Sequence, residues 1–185
     1  MAASITHHQL PLPRIEGARL LIVVAPYYRE IADALVAGAR RAVAAAGATA
    51  ELVEVPGALE IPTAIGLAAA RGLFDGYVAL GCVIRGETTH YDTVCNDSSR
   101  ALTLLGLSGH CVGNGILTVE NITQAELRAD PEGQDKGGGA AAAALHLIAL
   151  KRGWETREAP RRAAPGDAPA AVRIAGAPAP GTGRA

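Results

Sequence analysis

Four short apolar runs, each followed by a stretch with helical spacing or a helix-opening loop, leave this chain few folds to choose from. The first is Arg19 to Ala25 (RLLIVVA), a continuous apolar run of the kind found in strands buried on both faces. After it Ile31, Leu35, Ala39 and Val43 recur every four residues, which predicts a helix to about Ala46, closed by Gly47 as a C-terminal cap. Thr49 to Val55 (TAELVEV) reads as a second strand and Glu60 to Arg71 as a second helix. Pro62 fits there because a first-turn N–H has no helical partner to lose. Tyr77 to Ile84 (YVALGCVI) is a third buried strand, followed by a polar loop, Arg85 to His90, and a helix from about Asp92 to Leu105. His110 to Val119 holds a fourth strand, and two helices follow, the last an Ala-rich one over roughly Lys136 to Arg152. Strands alternating with helices imply a parallel sheet covered on both faces. The expectation is an α/β fold, a three-layer α/β/α sandwich with four central strands and right-handed crossovers.

Hydrophobic residues make up 49% of the 185, yet aromatics only 3%, so the core must be built from Ala, Val, Leu and Ile. Such small side chains let helices approach a sheet closely. From Glu155 onward the composition changes: Pro160, Pro165, Pro169, Pro178 and Pro180 sit among Ala, Gly and Arg, with almost no large apolar group to offset ordering entropy. The expected organisation is an N-terminal arm over 1–18, a domain over 19–154 and a disordered tail over 155–185. The arm is expected to form a short edge strand or to add to a neighbouring subunit.

A net charge of -1 gives no footprint for nucleic acid or anionic lipid, both of which need clustered Lys and Arg. Cys82, Cys95 and Cys111 form no CxxC pair, so neither a zinc knuckle nor a redox motif is supported, and no metal site is expected. Three embedded thiols fit a reducing compartment. The first residues lack a basic start followed by an apolar run, and no apolar stretch approaches the roughly 18 residues that span a bilayer. A cytoplasmic protein is expected.

In open parallel sheets, here expected in flavodoxin-like order, ligands bind beyond the carboxyl ends of the strands. The loops following Ala25, Val55, Ile84 and Thr118 are therefore the informative ones. The first carries Tyr27 and Tyr28, two of only four tyrosines. The second is VPGALEIP, where Glu60 opens a helix. The third, IRGETTHYD, is the densest polar cluster in the chain. Gly86 lets backbone approach a ligand, Thr88 and Thr89 offer hydroxyls, and the next helix offers free N–H groups and the positive end of its dipole. These make a phosphate cradle, with His90 beside it suited to proton transfer at neutral pH. The plainer alternative stands level with it: Thr88, Thr89 and Asp92 as ordinary helix caps and His90 as a surface residue. Arg128 and Lys136 can add phosphate charge, although exposed helical cations commonly do nothing specific. No Walker or GxGxxG pattern is present. The residues alone stop at a phosphate-binding α/β protein with a histidine acid/base.

VPGALEIP (55–62), LGCVIRGETTHYD (80–92), GNGILTVEN (113–121), QAELR (124–128) and DKGGGAAAAAL (135–145) resemble the lumazine synthase family, in order and at matching separations. The likeness covers about Arg19 to Arg152. It implies condensation of 5-amino-6-(ribitylamino)uracil with 3,4-dihydroxy-2-butanone 4-phosphate, releasing phosphate and water, with no cofactor. By the same resemblance His90 moves protons, Glu87, Thr88 and Arg128 stand at phosphate-binding positions, and Tyr27 stacks on the pyrimidine. Ala58, Leu59 and Glu60, with Cys82, Val83 and Ile84, match the segments that hold the ribityl chain and ring edge. Asn114 and Lys136 match positions supplied by an adjacent subunit. The family forms rings of five, so at least a homopentamer is expected. The turn stiffened by Pro131 and the long tail favour isolated rings or small stacks over shells.

Three positions depart from the family pattern. Tyr27 stands where phenylalanine is common, which keeps the stacking ring. Asn114 stands where an aromatic is frequent, which opens one wall of the pocket. Glu87 replaces a small residue, so its carboxylate must point away from phosphate while its N–H still donates. The competing reading is a flavin- or lumazine-binding protein of the same fold with little turnover.

Overall fold

A computed structural model describes residues 10–156. Four strands and five helices alternate as β1 (Arg19–Val24), α1 (Arg29–Ala45), β2 (Thr49–Glu54), α2 (Glu60–Ala69), β3 (Gly76–Ile84), α3 (His90–Leu107), β4 (Cys111–Val119), α4 (Ile122–Ala129) and α5 (Lys136–Glu155). All three strand pairings are parallel, and the order across the sheet is β2-β1-β3-β4. This is the expected three-layer sandwich with its flavodoxin-like order.

Successive side chains of a strand point to opposite faces, and the core divides accordingly. Leu20, Ile22, Val24, Val78 and Leu80 face α1, α4 and α5, where Leu35, Val43, Ala129, Ala141, Leu145 and Ile148 meet them. Leu21, Val23, Tyr77 and Ala79 face α2 and α3, against Ile61, Ile65 and Leu102. Central strands are covered twice, which is why β1 and β3 are continuous apolar runs. The edge strands differ. In β4 buried positions alternate with more open ones, and β2 is mostly exposed, which its glutamates Glu51 and Glu54 tolerate.

Gly47 ends α1 with φ +75°, the left-handed conformation that a side chain resists. Two other glycines serve space rather than conformation. A Cβ at Gly137 would collide with the carbonyl of Leu35 in α1, and one at Gly113 with the carbonyl of Ala140 in α5. The glycine run at 137–139 is therefore a contact point at which α5 closes on α1. Asp135 starts α5 at φ 44°, its carboxylate accepting from Gly138 N–H at 3.0 Å, and Arg41 of α1 grips the same turn through Glu132, Asp135 and the Pro131 carbonyl.

Three boundaries move from their expected places. Ile15 and Ala18 are buried in the core, Ile15 N–H bonds the Ala46 carbonyl, and the Ala18 carbonyl accepts from Thr49 N–H. The domain therefore begins near residue 15, and an arm over 1–18 is too long by four residues. Helix α3 starts at His90 and not Asp92, and α5 runs to Glu155, past the expected end at Arg152. The rest of the expected tail, 157–185, and residues 1–9 of the expected arm lie outside the described residues. Among those described, no helix is long and apolar enough to cross a membrane.

Candidate active site

After β1 the chain turns to the α1 face, and after β3 to the opposite face, where α3 lies. The carboxyl ends of these two neighbouring strands thus frame a switch point, the place where an open α/β sheet leaves a crevice. A cleft of about 430 Å³ opens there. Its walls are Tyr27 and Tyr28 after β1, the Pro56–Glu60 turn before α2, and Cys82, Val83 and Ile84 at the end of β3. His90 and Val94, one helical turn apart on α3, complete it.

Each wall follows from local chemistry. Tyr27 is 76% exposed, a free ring face at the mouth, with Tyr28 edge-on to it at 5.1 Å between centroids. Burial, with Tyr27 adding a smaller push, raises the pKa of Tyr28, so its phenol stays protonated near neutrality. The Glu60 carboxylate folds back over the turn so closely that a Cβ at Gly57 would stand 2.8 Å from its Oε2. Burial lifts the Cys82 thiol to about 11, which leaves it uncharged and non-nucleophilic at neutral pH. The cleft is an apolar slot with an aromatic lip, one carboxylate and one imidazole. Among the described residues it holds no lysine or arginine.

Glu87 and Thr88 lie beside this cleft, exposed in the loop that runs into α3. Thr89 occupies the N-cap position of α3 without a side-chain capping bond, and Thr88 Oγ1 accepts only a long 3.4 Å bond from His90 N–H. The Thr89 hydroxyl is thus not used as a cap, while Asp92 sits in the first turn of α3 and His90 is exposed, as the plainer alternative also expects.

Asn114, Arg128 and Lys136 gather elsewhere. They line a second cleft, also about 430 Å³, along the outer edge of β4 beneath α4 and α5, and no residue lines both clefts. Arg128, read from the sequence beside Glu87 and Thr88, thus lies in this second group within a single protomer. Arg128 bonds its own helix at the Gln124 carbonyl, and neither it nor Lys136 joins a salt bridge among the described residues. Lys136 opens α5 next to the Asp135 cap and, with Arg128, gives this cleft two cations outside any salt bridge among the described residues, a charge suited to an anion. Asn114 Oδ1 accepts from Ile116 N–H at 3.0 Å, which turns its amide NH₂ outward. Sequence reasoning missed Pro56, Gly57 and Val94 as lining residues. The four-residue step from His90 to Val94 was the available signal for the last of these.

A family model described as 6,7-dimethyl-8-ribityllumazine synthase matches residues 17–152, most of the chain. The chain belongs to that family. Relatives of the same description agree with it: one from Jannaschia sp. (strain CCS1) is 57% identical over 148 residues, 80% of this chain and 83% of its own. One from Novosphingobium aromaticivorans is 54% identical over 137 residues, 74% of this chain and 99% of its own. With the family comes its activity, a transferase step of riboflavin biosynthesis that forms 6,7-dimethyl-8-ribityllumazine. Nothing in either cleft or in the relatives favours a binding protein without turnover.

Proposed function

We propose that 5-amino-6-(ribitylamino)uracil and 3,4-dihydroxy-2-butanone 4-phosphate react in a site assembled from two protomers, the first cleft of one facing the second cleft of the next. One observation carries this reading. Among the described residues, the cleft with His90 has no lysine or arginine, and the cleft with Arg128 and Lys136 has no histidine. Amine attack on a ketone with expulsion of phosphate needs both proton transfer and charge neutralisation at one place.

In the composite site Tyr27 stacks on the pyrimidine. Ala58, Leu59 and Glu60 on one side and Cys82, Val83 and Ile84 on the other hold the ring edge and the ribityl chain. Thr88 and the Glu87 N–H, at the positive end of α3, meet the phosphate together with Arg128 and Lys136 of the neighbouring protomer. His90 takes the proton from the attacking amine and returns one as water and phosphate depart. The outward amide of Asn114 gives the neighbour's wall a hydrogen-bond donor. Such a head-to-tail contact closes as a ring, and we infer a homopentamer or larger. A cytoplasmic location fits three cysteines that are all free thiols.

Mixing two inactive variants tests the sharing. His90→Ala disables only the first cleft and Arg128→Ala only the second. Subunits reassembled from equal amounts should recover activity at about a quarter of sites, by independent assortment around a head-to-tail ring. A mixture no more active than either variant alone would place both residues in one protomer's site and sink the proposal.

A further inference from the structure

We propose that Arg85, which neither cleft contains, is a positioning residue that locks the β3–α3 loop to the start of α4 and so holds Thr88 and His90 in place at the phosphate end of the first cleft. The proposal rests on the assignment of Thr88, His90 and Arg128 above.

Arg85 is the first residue after β3, and its backbone N–H extends the ladder to the Val119 carbonyl at 2.9 Å. Its side chain does three things at once. Nε donates to both oxygens of Glu120, at 3.2 and 3.0 Å. One terminal nitrogen donates to Asp92 Oδ1 at 3.2 Å. The guanidinium lies 4.0 Å from the centre of the Tyr91 ring. Asp92 and Tyr91 follow His90 directly, so the side chain of Arg85 ties the beginning of the loop to its end. Glu120 continues the chain of contacts: its N–H bonds Gln124 Oε1 at 3.0 Å, and Gln124 N–H bonds the α4 cap Asn121 at 3.0 Å. Arg128 then closes on the Gln124 carbonyl one turn later. A continuous path therefore runs from the first turn of α3 to the helix that carries Arg128.

The side chains of Glu87, Thr88, Thr89 and His90 are all exposed, and the single side-chain hydrogen bond of this stretch among the described residues is the long one from His90 N–H to Thr88 Oγ1, so the loop depends on its two ends being tied. The clasp also neutralises two carboxylates, Asp92 and Glu120. A lysine cannot replace it, since a single ammonium lacks the planar fork that reaches Glu120 and Asp92 together while stacking on a ring. Because all these groups are exposed, their pairing adds little to global stability, and a loop effect can be separated from unfolding.

The experiment compares full-length wild type, Arg85→Lys and Arg85→Met by steady-state kinetics in each substrate and by amide exchange of the 85–93 segment. Wild-type product formation tests the assignment of function independently; exchange tests the clasp whether or not the enzyme turns over. Both variants should melt near wild type and exchange faster at 85–93. Misplacement on the ångström scale should raise KM for the butanone phosphate roughly tenfold or more and lower kcat, with the pyrimidine KM moving less than threefold. Equal KM shifts for both substrates, unchanged exchange, or an Arg85→Lys variant indistinguishable from wild type would each overturn the proposal.

Discussion

His90 opens α3 at the rim of the first cleft, exposed, with Val94 in the same lining one turn further on. The cleft around it is largely apolar, and its thiol, Cys82, is held neutral by burial, so among the described residues the remaining proton-carrying groups there are the Glu60 carboxylate and the two tyrosine hydroxyls. Replacing His90 with alanine should therefore lower turnover by about 10-fold to 10⁴-fold, the range of general acid–base catalysis, while substrate affinity changes less. Single-turnover formation of the fluorescent product measures this, and an unchanged rate would remove His90 from the chemistry. At this scale the IRGETTHYD cluster was legible because polar residues seldom gather by chance at the carboxyl end of a buried strand. Which of its hydroxyls stayed uncapped was not legible, since that depends on where α3 starts, and it starts two residues earlier than the pattern suggested.

Between elements, the tightest approach is that of α5 on α1 and β4. Gly137 touches the Leu35 backbone and Gly113 the Ala140 backbone, and backbone cannot rotate away as a side chain can. Gly137→Ala should cost about 2–4 kcal/mol, whereas Gly139→Ala, which meets open space, should be neutral or stabilising by up to about 1 kcal/mol from helix propensity. Urea denaturation of the two variants decides it, and equal midpoints would mean that the helices have room to part. The sequence displayed the glycine run but left two meanings open, a close contact or a loose helix start. Only the crossing of α5 over α1 chooses between them.

For the whole molecule the exposed apolar side chains are the guide. Leu67, Leu104, Leu107, Leu127, Leu150 and Trp154 all lie open on the helices, apolar surface that a neighbouring protomer could cover. Native mass measurement should give at least five times the protomer mass, 18.8 kDa for the full chain and correspondingly less without residues 157–185, and the shortened form should keep wild-type activity. An active monomer would overturn the shared site. Loss of soluble, active protein on truncation would assign a packing role to those residues.

The sequence by itself determined the order of elements, the parallel sheet and the family, because period-2 and period-3.6 patterns and contiguous motifs are local properties of the chain. It also offered candidate site residues, loop by loop. The tertiary structure decided their grouping. His90 and Arg128 belong to one set of motifs, yet β3 ends at the switch point while β4 lies at the sheet edge, so one protomer holds them in separate clefts. It likewise decided that Ile15 and Ala18 join the core and that Arg85 reaches Glu120, 35 residues away. Both are long-range contacts, fixed by how the layers close on one another and written in no local spacing.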